Sequence, residues 1–351
     1  MLELVKYAAI ALLLSLIITP GVIKLAFKVG AIDKPNSRKV HARVMPRLGG
    51  LAIFAAFALP AMLALDFNRQ FIGLLLGGVV ILVLGVMDDL KDISPKVKLA
   101  GQLVAALILI GFGTKVENLT NPFGSDPIHL GWLSIPVTVF WIVGVTNAVN
   151  LVDGLDGLAA GIAAIAAATL GLVAMENDPA ITLVAFTLVG AILGFMRYNF
   201  NPARIFMGDS GSLFLGYTLA GLAIMGLAKS ATVFSLFIPV LVLGVPILDT
   251  LFAIIRRIVN DQPIFQADKA HLHHCLLASG LSHRQTVLVI YLIHGALSGV
   301  AVLLNELTTT QGMLILLGIS VVTLIGANRL GVMGRLPQPQ EANTKSTTIG
   351  G

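Results

Sequence analysis

Eleven long apolar runs divide this chain, and they constrain its fold more than any other feature. They occupy residues 4–27, 48–65, 71–87, 97–112, 135–149, 158–175, 181–195, 213–227, 232–255, 287–304 and 312–327. About 20 apolar residues cross a bilayer as a helix. The runs are too long for barrel strands and do not alternate with period two. Of the 351 residues only 12% are charged, against about 25% in soluble domains. The chain therefore reads as an all-α, polytopic integral membrane protein of about eleven spans. Residues 1–335 form one transmembrane domain, and the polar tail 336–351 reads as disordered and cytoplasmic. The first run has Glu3 ahead of it and no small-residue cleavage site after it, so it reads as a retained span, not a signal peptide. A single cysteine, Cys275, excludes an intrachain disulfide and a CxxC zinc site.

The distribution of charge sets the orientation. With the N-terminus outside, the inner segments carry 18 Lys and Arg and the outer segments carry 4. The positive-inside rule then puts the C-terminus in the cytoplasm. The net charge of +5 adds little to this, and no nucleic acid is expected as a partner. The longest outer loop, 113–134, reads as a short cap at most.

On this topology every unusual polar cluster falls on the cytoplasmic face. They are "HARVMPRLGG" (41–50), "MDDLKD" (87–92), "NAVNLVDGLDG" (147–157), "RYNFNPARIFMGDSGS" (197–212) and "DKAHLHH" (268–274). Each has a bland reading. Asp88, Asp89 and Asp92 suit a solvated helix end, but Asp88 and Asp92 share a helix face and repel unless a cation or proton relieves them. The glycines of "DGLDG" suit a tight turn. A turn alone does not require Asn147, Asn150, Asp153 and Asp156 at intervals of three, which follow one helix face. In "GDSGS", Asp209 or Ser210 suits an N-cap, and a Gly-flanked helix start also suits phosphate. Phe206 fits the core, a membrane anchor or a stacking platform for a base. "HLHH" suggests zinc, but the many Asp and Asn are oxygen donors for a hard cation such as magnesium. Asp249 in "PILDTLF", at bilayer depth, is expected to pair with a polar neighbour or to join the inner site. Together these clusters point to a magnesium-type, phosphate-binding site at the inner surface. Phosphoryl transfer between a lipid and a soluble substrate fits it.

The motifs "DDLKD", "NAVNLVDGLDGL", "NPARIFMGDSGSLFLG" and "DKAHLHHCLLASGLSHRQ", in this order, resemble the polyprenyl-phosphate N-acetylhexosamine-1-phosphate transferases over residues 33–291. "HLHH" with "GLSHRQ" is most similar to the undecaprenyl-phosphate N-acetylglucosamine-1-phosphate transferase branch. The pentapeptide-transferase branch has three consecutive His followed by Phe-Glu, whereas here Leu272 interrupts the run and Cys275-Leu276 follows it. The resemblance implies transfer of N-acetylglucosamine 1-phosphate from UDP-N-acetylglucosamine to undecaprenyl phosphate, with release of UMP. It implies magnesium, with manganese as a substitute, held by Asp209 with Asn150. It places Asp88 at the lipid phosphate, and Asp89, Asp153 and Asp156 in the catalytic group, with Asp156 also bordering the uridine pocket. Asn147, Gly154, Leu155, Asn199 and Phe206 fall to the nucleotide pocket. His271, His273 and His274 fall to the diphosphate and sugar, and Arg47 of "PRLGG" to a looser nucleotide contact. A homodimer in a bacterial inner membrane is compatible with it. Two other readings compete: a lipid-linked sugar transporter, disfavoured by one-sided carboxylates and no visible inverted repeat, and a zinc hydrolase built on "HLHH".

Overall fold

The computed structural model describes residues 1–34, 44–64, 68–119, 121, 128–227, 237–263 and 271–329. His41, Asp268, Lys269, the start of the ninth apolar run and the 336–351 tail lie outside the described residues. The described chain is helical almost throughout: α1 Leu2–Val29, α2 Gly49–Ala64, α3 Arg69–Lys91, α4 Pro95–Gly111, α5 Ser134–Val152, α6 Leu158–Ala174, α7 Pro179–Asn199, α8 Gly208–Leu227, α9 Phe237–Val242, α10 Gly244–Val259, α11 Leu272–Ala278, α12 His283–Leu304 and α13 Thr309–Arg329. The ninth run, expected as one helix, is broken at Leu243 between α9 and α10. Pro246 has no N–H to offer the carbonyl of Val242, so the ladder stops there.

Among the described residues, six segments are long and apolar enough to cross a membrane: α1, α3, α5 with the 3₁₀ turn before it, α7, α12 and α13, while α2 and α6 are apolar but shorter. The outer surface agrees. Leu314, Leu317 and Val322 of α13 and Leu13 and Ile17 of α1 all lie exposed. In water such a surface aggregates; against lipid tails it needs no cover. The protein is an all-α, multi-pass membrane protein.

Helix α8 forms the centre. It is apolar on every side after its first turn, and such a helix must be enclosed on every side. It packs against α2, α3, α5 and α6. Its start is wedged between α2 and α3: a Cβ on Gly50 would stand 2.2 Å from Gly211 N, and one on Gly85 2.4 Å from Ser210 Cα. Only glycine permits that approach. The polar start of α8 is thereby fixed at one end of the bundle, beside the ends of α3, α5 and α7. There β1 (Ile32–Asp33) pairs antiparallel with β2 (Met45–Pro46). At the opposite end β3 (Asn118–Leu119) and β4 (Ile128–His129) form a small hairpin. Neither two-residue pairing is foreshadowed by alternation in the sequence.

Candidate active site

The last turn of α3, the first turn of α4 and the first turn of α8 meet at Lys98. Its Nζ donates to Asp88 Oδ2 at 2.7 Å and to Asp209 Oδ2 at 2.6 Å. Asp88 Oδ1 accepts the Ile93 N–H at 2.9 Å. Asp209 Oδ1 accepts from Asn150 Nδ2 at 3.2 Å, and the same amide reaches Ser212 Oγ at 2.7 Å. Asp88 and Asp92, expected to share a helix face, separate at the helix end. Asp92 follows the helix as its cap, with φ of 47°, and its exposed carboxylate lies 4.0 Å from Arg47. The charge relief that the sequence demanded comes from Lys98, which sequence reasoning counted only among the inner-loop cations.

Asp89 has a different setting. Its side chain is fully enclosed. Oδ1 accepts the Asp209 N–H at 2.9 Å, and Oδ2 accepts the Ser210 N–H at 3.1 Å. Asp89 therefore caps α8 from a neighbouring helix, where the sequence suggested Asp209 or Ser210 as the cap. Two N–H groups that could have met a phosphate are taken by this carboxylate. Arg47 stands 3.6 Å from Asp89 Oδ1. The backbone of Arg47 pairs with Phe206, whose N–H donates to Pro46 O at 2.8 Å. The "PRLGG" and "RIF" segments thus form one edge of the site, with Phe206 half-buried on it.

The segment 147–157 does not continue as one helix face. Helix α5 ends at Val152, so only Asn147 and Asn150 of the four polar residues are helical. Asn147 exchanges amide hydrogen bonds with Gln102 at 2.7 and 3.2 Å, joining α5 to α4. Asp156 turns away to accept from Asn201 Nδ2 and the Ala203 N–H, both at 3.0 Å. Asn199 accepts the Gly157 N–H at 3.1 Å and donates to Ile205 O at 3.0 Å. Asn201 O in turn accepts from Arg284 Nε and Nη2, and Gly157 O accepts from Tyr291. Leu155 points its side chain into the apolar core. Asp153, just past the end of α5, is half-buried beside these acids. Burial first, then the carboxylates of Asp209, Asp89 and Asp156, push its carboxyl up to about 8, with Arg47 opposing.

The histidine segment closes over this turn. His271 precedes α11, and its Nδ1 lies 2.9 Å from Asp249 Oδ2. Asp249 Oδ1 accepts the Leu272 N–H at 2.8 Å, so the intramembrane acid noted in the sequence does find a polar partner. The His271 and His273 rings are parallel within 3°, their centroids 5.9 Å apart, and the His274 ring lies 4.2 Å from that of His273. A Cβ on Gly154 would stand 2.5 Å from His273 Nε2, so glycine is required for this approach. Burial and the neighbouring His274 push His273 down to about 4, leaving a neutral imidazole at pH 7. Stacked rings do not converge on a common point. Among the described residues no group of three or more His, Cys, Asp or Glu is placed to hold a metal by itself.

The carboxylates of Asp88, Asp89, Asp92, Asp153, Asp156, Asp209 and Asp249, three imidazoles, Asn150, Arg47 and Lys98 therefore gather at one end of the bundle. Oxygen donors beside fixed cations suit a phosphate ester and a hard metal ion. Residues missed in the sequence, among them Lys98, Gln102, Asn201 and Tyr291, act through contacts remote in the chain.

Residues 71–227 match glycosyl transferase family 4. The chain is 44% identical, over 97% of its own length and 95% of the relative's, to a probable undecaprenyl-phosphate N-acetylglucosaminyl 1-phosphate transferase of Bacillus subtilis. It is 36% identical to a decaprenyl-phosphate N-acetylglucosaminephosphotransferase of Mycobacterium tuberculosis, over 83% and 80% of the two chains. It is 31% identical to an undecaprenyl-phosphate alpha-N-acetylglucosaminyl 1-phosphate transferase of Salmonella typhi, over 80% and 78%.

Proposed function

Because this chain belongs to glycosyl transferase family 4 and is a glycosyl-1-phosphate transferase, we propose that it acts on UDP-N-acetylglucosamine and undecaprenyl phosphate. The products are undecaprenyl-diphospho-N-acetylglucosamine and UMP, and the step initiates a cell-envelope glycan such as teichoic acid or O-antigen. The observation that carries the reading is the meeting of carboxylates from α3 and α8 on the Lys98 ammonium. Two acids aimed at one cation are arranged for charge held between two substrates, one from the lipid and one from water.

The donor set fits magnesium, with manganese as a substitute. Asp209 already binds a cation, and Asn150 adds an amide beside it. Magnesium needs only one or two protein carboxylates when substrate phosphates supply other positions. Asp209 and Asn150 would hold it, and it would neutralise charge on the transferring phosphoryl group. In the reaction a lipid phosphate oxygen bonds to the β-phosphorus as the bond from that phosphorus to the UMP oxygen breaks. A phosphate monoester has its second pKa near about 6, so the attacking oxygen needs no strong base. Asp88, with Oδ1 and Oδ2 already accepting hydrogen bonds, suits holding the Lys98 ammonium toward that phosphate better than attacking phosphorus itself, which supports direct transfer. Arg47 and Phe206 border the nucleotide side. His273, neutral, offers a hydrogen bond and not a charge. Asp89, Asp156, Asn147 and Asn199 position these groups through the contacts described above.

We place the site at the cytoplasmic face of a bacterial inner membrane, with the N-terminus outside, in accord with the excess of basic residues in the inner segments. The test is purified protein in liposomes with magnesium, undecaprenyl phosphate and, in separate reactions, UDP-N-acetylglucosamine, UDP-N-acetylgalactosamine or UDP-MurNAc-pentapeptide. UMP release from the first donor is expected to exceed the other two. Preference for the pentapeptide donor would place the protein in the sister branch. No release from any donor by folded protein would overturn the reading and favour a transporter.

A further inference from the structure

Helix α10 is inverted relative to a helix of a soluble protein. Leu251, Ile255, Ile258 and Val259 are exposed, while Asp249, Arg256 and Arg257 are buried. Apolar residues outside and ionisable residues inside suit a helix with lipid on one side and a polar site on the other. Asp249 does nothing for its own helix. It lies beyond the first turn, where it neither caps nor favours helix formation. Burying a carboxylate without partners is costly, and Asp249 is 5% exposed. Its hydrogen-bond partners belong to one neighbouring segment. Oδ2 meets His271 Nδ1 at 2.9 Å, and Oδ1 accepts the Leu272 N–H at 2.8 Å. The second bond satisfies an opening N–H of α11, which has no partner inside that helix. One carboxylate thus fixes both the backbone and the ring orientation of the histidine segment.

A carboxylate accepts, so the bond to His271 requires a proton on Nδ1 and leaves Nε2 as the nitrogen free to act on a ligand. The parallel His273 ring continues the stack to Gly154 and the acidic turn. We propose that Asp249 is a positioning residue of the transferase: it docks the histidine segment on the active site and holds His271 in the Nδ1–H tautomer. Among the described residues, Asp249 of α10 and the parallel His273 ring of α11 face that ring, and His274 lies behind His273. The kinetic consequence rests on the proposed transfer reaction; the tautomer does not.

Two measurements test it. The first is the ¹⁵N spectrum of histidine-labelled protein at pH 8.5, with the His271 signal assigned by its loss in His271→Gln. The Nδ1–H tautomer is expected in the unaltered protein, and the Nε2–H tautomer would overturn the proposal without any Asp249 variant. The second is a double-mutant cycle on UMP release with Asp249→Asn, His271→Asn and both together. Asp249→Asn is expected to keep donor binding within about twofold and to lower kcat about 10- to 100-fold, the scale on which a small misplacement near the reacting groups acts. The double variant is expected to be no worse than His271→Asn alone. Unchanged kcat in Asp249→Asn, or losses that multiply, would overturn it. If the unaltered protein releases no UMP, the reaction has been misassigned, and the tautomer alone decides the role of Asp249.

Discussion

Lys98 Nζ lies 2.7 Å from Asp88 and 2.6 Å from Asp209, joining carboxylates 10 and 111 residues away in the chain. Removing the ammonium leaves two acids facing each other without relief. Lys98→Met is expected to lower UMP release about 100-fold or more, the cost of stranding partly buried charge. Lys98→Arg is expected to recover only part, because a planar guanidinium does not occupy the place of a point charge. Initial rates of the three proteins at saturating donor check this.

Gly154 and His273 form a second, steric test. Gly154→Ala forces the His273 ring away, and activity is expected to fall at least about tenfold if near-attack geometry is lost. Adding His273→Ala to Gly154→Ala is expected to restore thermal stability, since the clash is gone, without restoring the rate. A melting temperature unmoved by the second change would show that the loop does not press on Gly154.

Asp153 gives a pH signature. Its carboxyl titrates near about 8 in the folded protein, against 3.8 for the ordinary group. The folded state therefore holds a proton that the unfolded state has released, and stability falls as pH rises between those values. In chelator, Asp153→Asn is expected to raise the melting temperature most above pH 8 and to have little effect near pH 4. A gain that is flat with pH would contradict the raised carboxyl.

Asn199 is a structural clasp between the 147–157 turn and the 199–206 segment. Asn199→Ala breaks two buried hydrogen bonds and is expected to destabilise by about 1–3 kcal/mol. Thermal melting in detergent reads it directly.

The apolar runs located all the long helices because burial in lipid imposes a length and a composition that a sequence displays openly. Each of the eleven runs coincides with helix where residues are described, and only the Pro246 break was not anticipated. The acids were legible as a group for the same reason, since charge is rare in such a chain. Their individual settings were not. Asp88 and Asp89 are neighbours in sequence, yet one meets Lys98 and the other caps α8. Asp156 shares its spacing with Asn150 but serves a backbone turn. These differences depend on which helix packs beside which, and spacing within one helix carries no information on that. Lys98 was hidden among basic residues whose presence the membrane already explained.

The most direct measurement of the central claim is lipid-dependent UMP release from UDP-N-acetylglucosamine by the unaltered protein and by Asp209→Asn. The account predicts release only with undecaprenyl phosphate and magnesium present, falling to background in the variant while the fold survives. Release at the full rate from Asp209→Asn would contradict a reaction centre at Asp209 and Lys98.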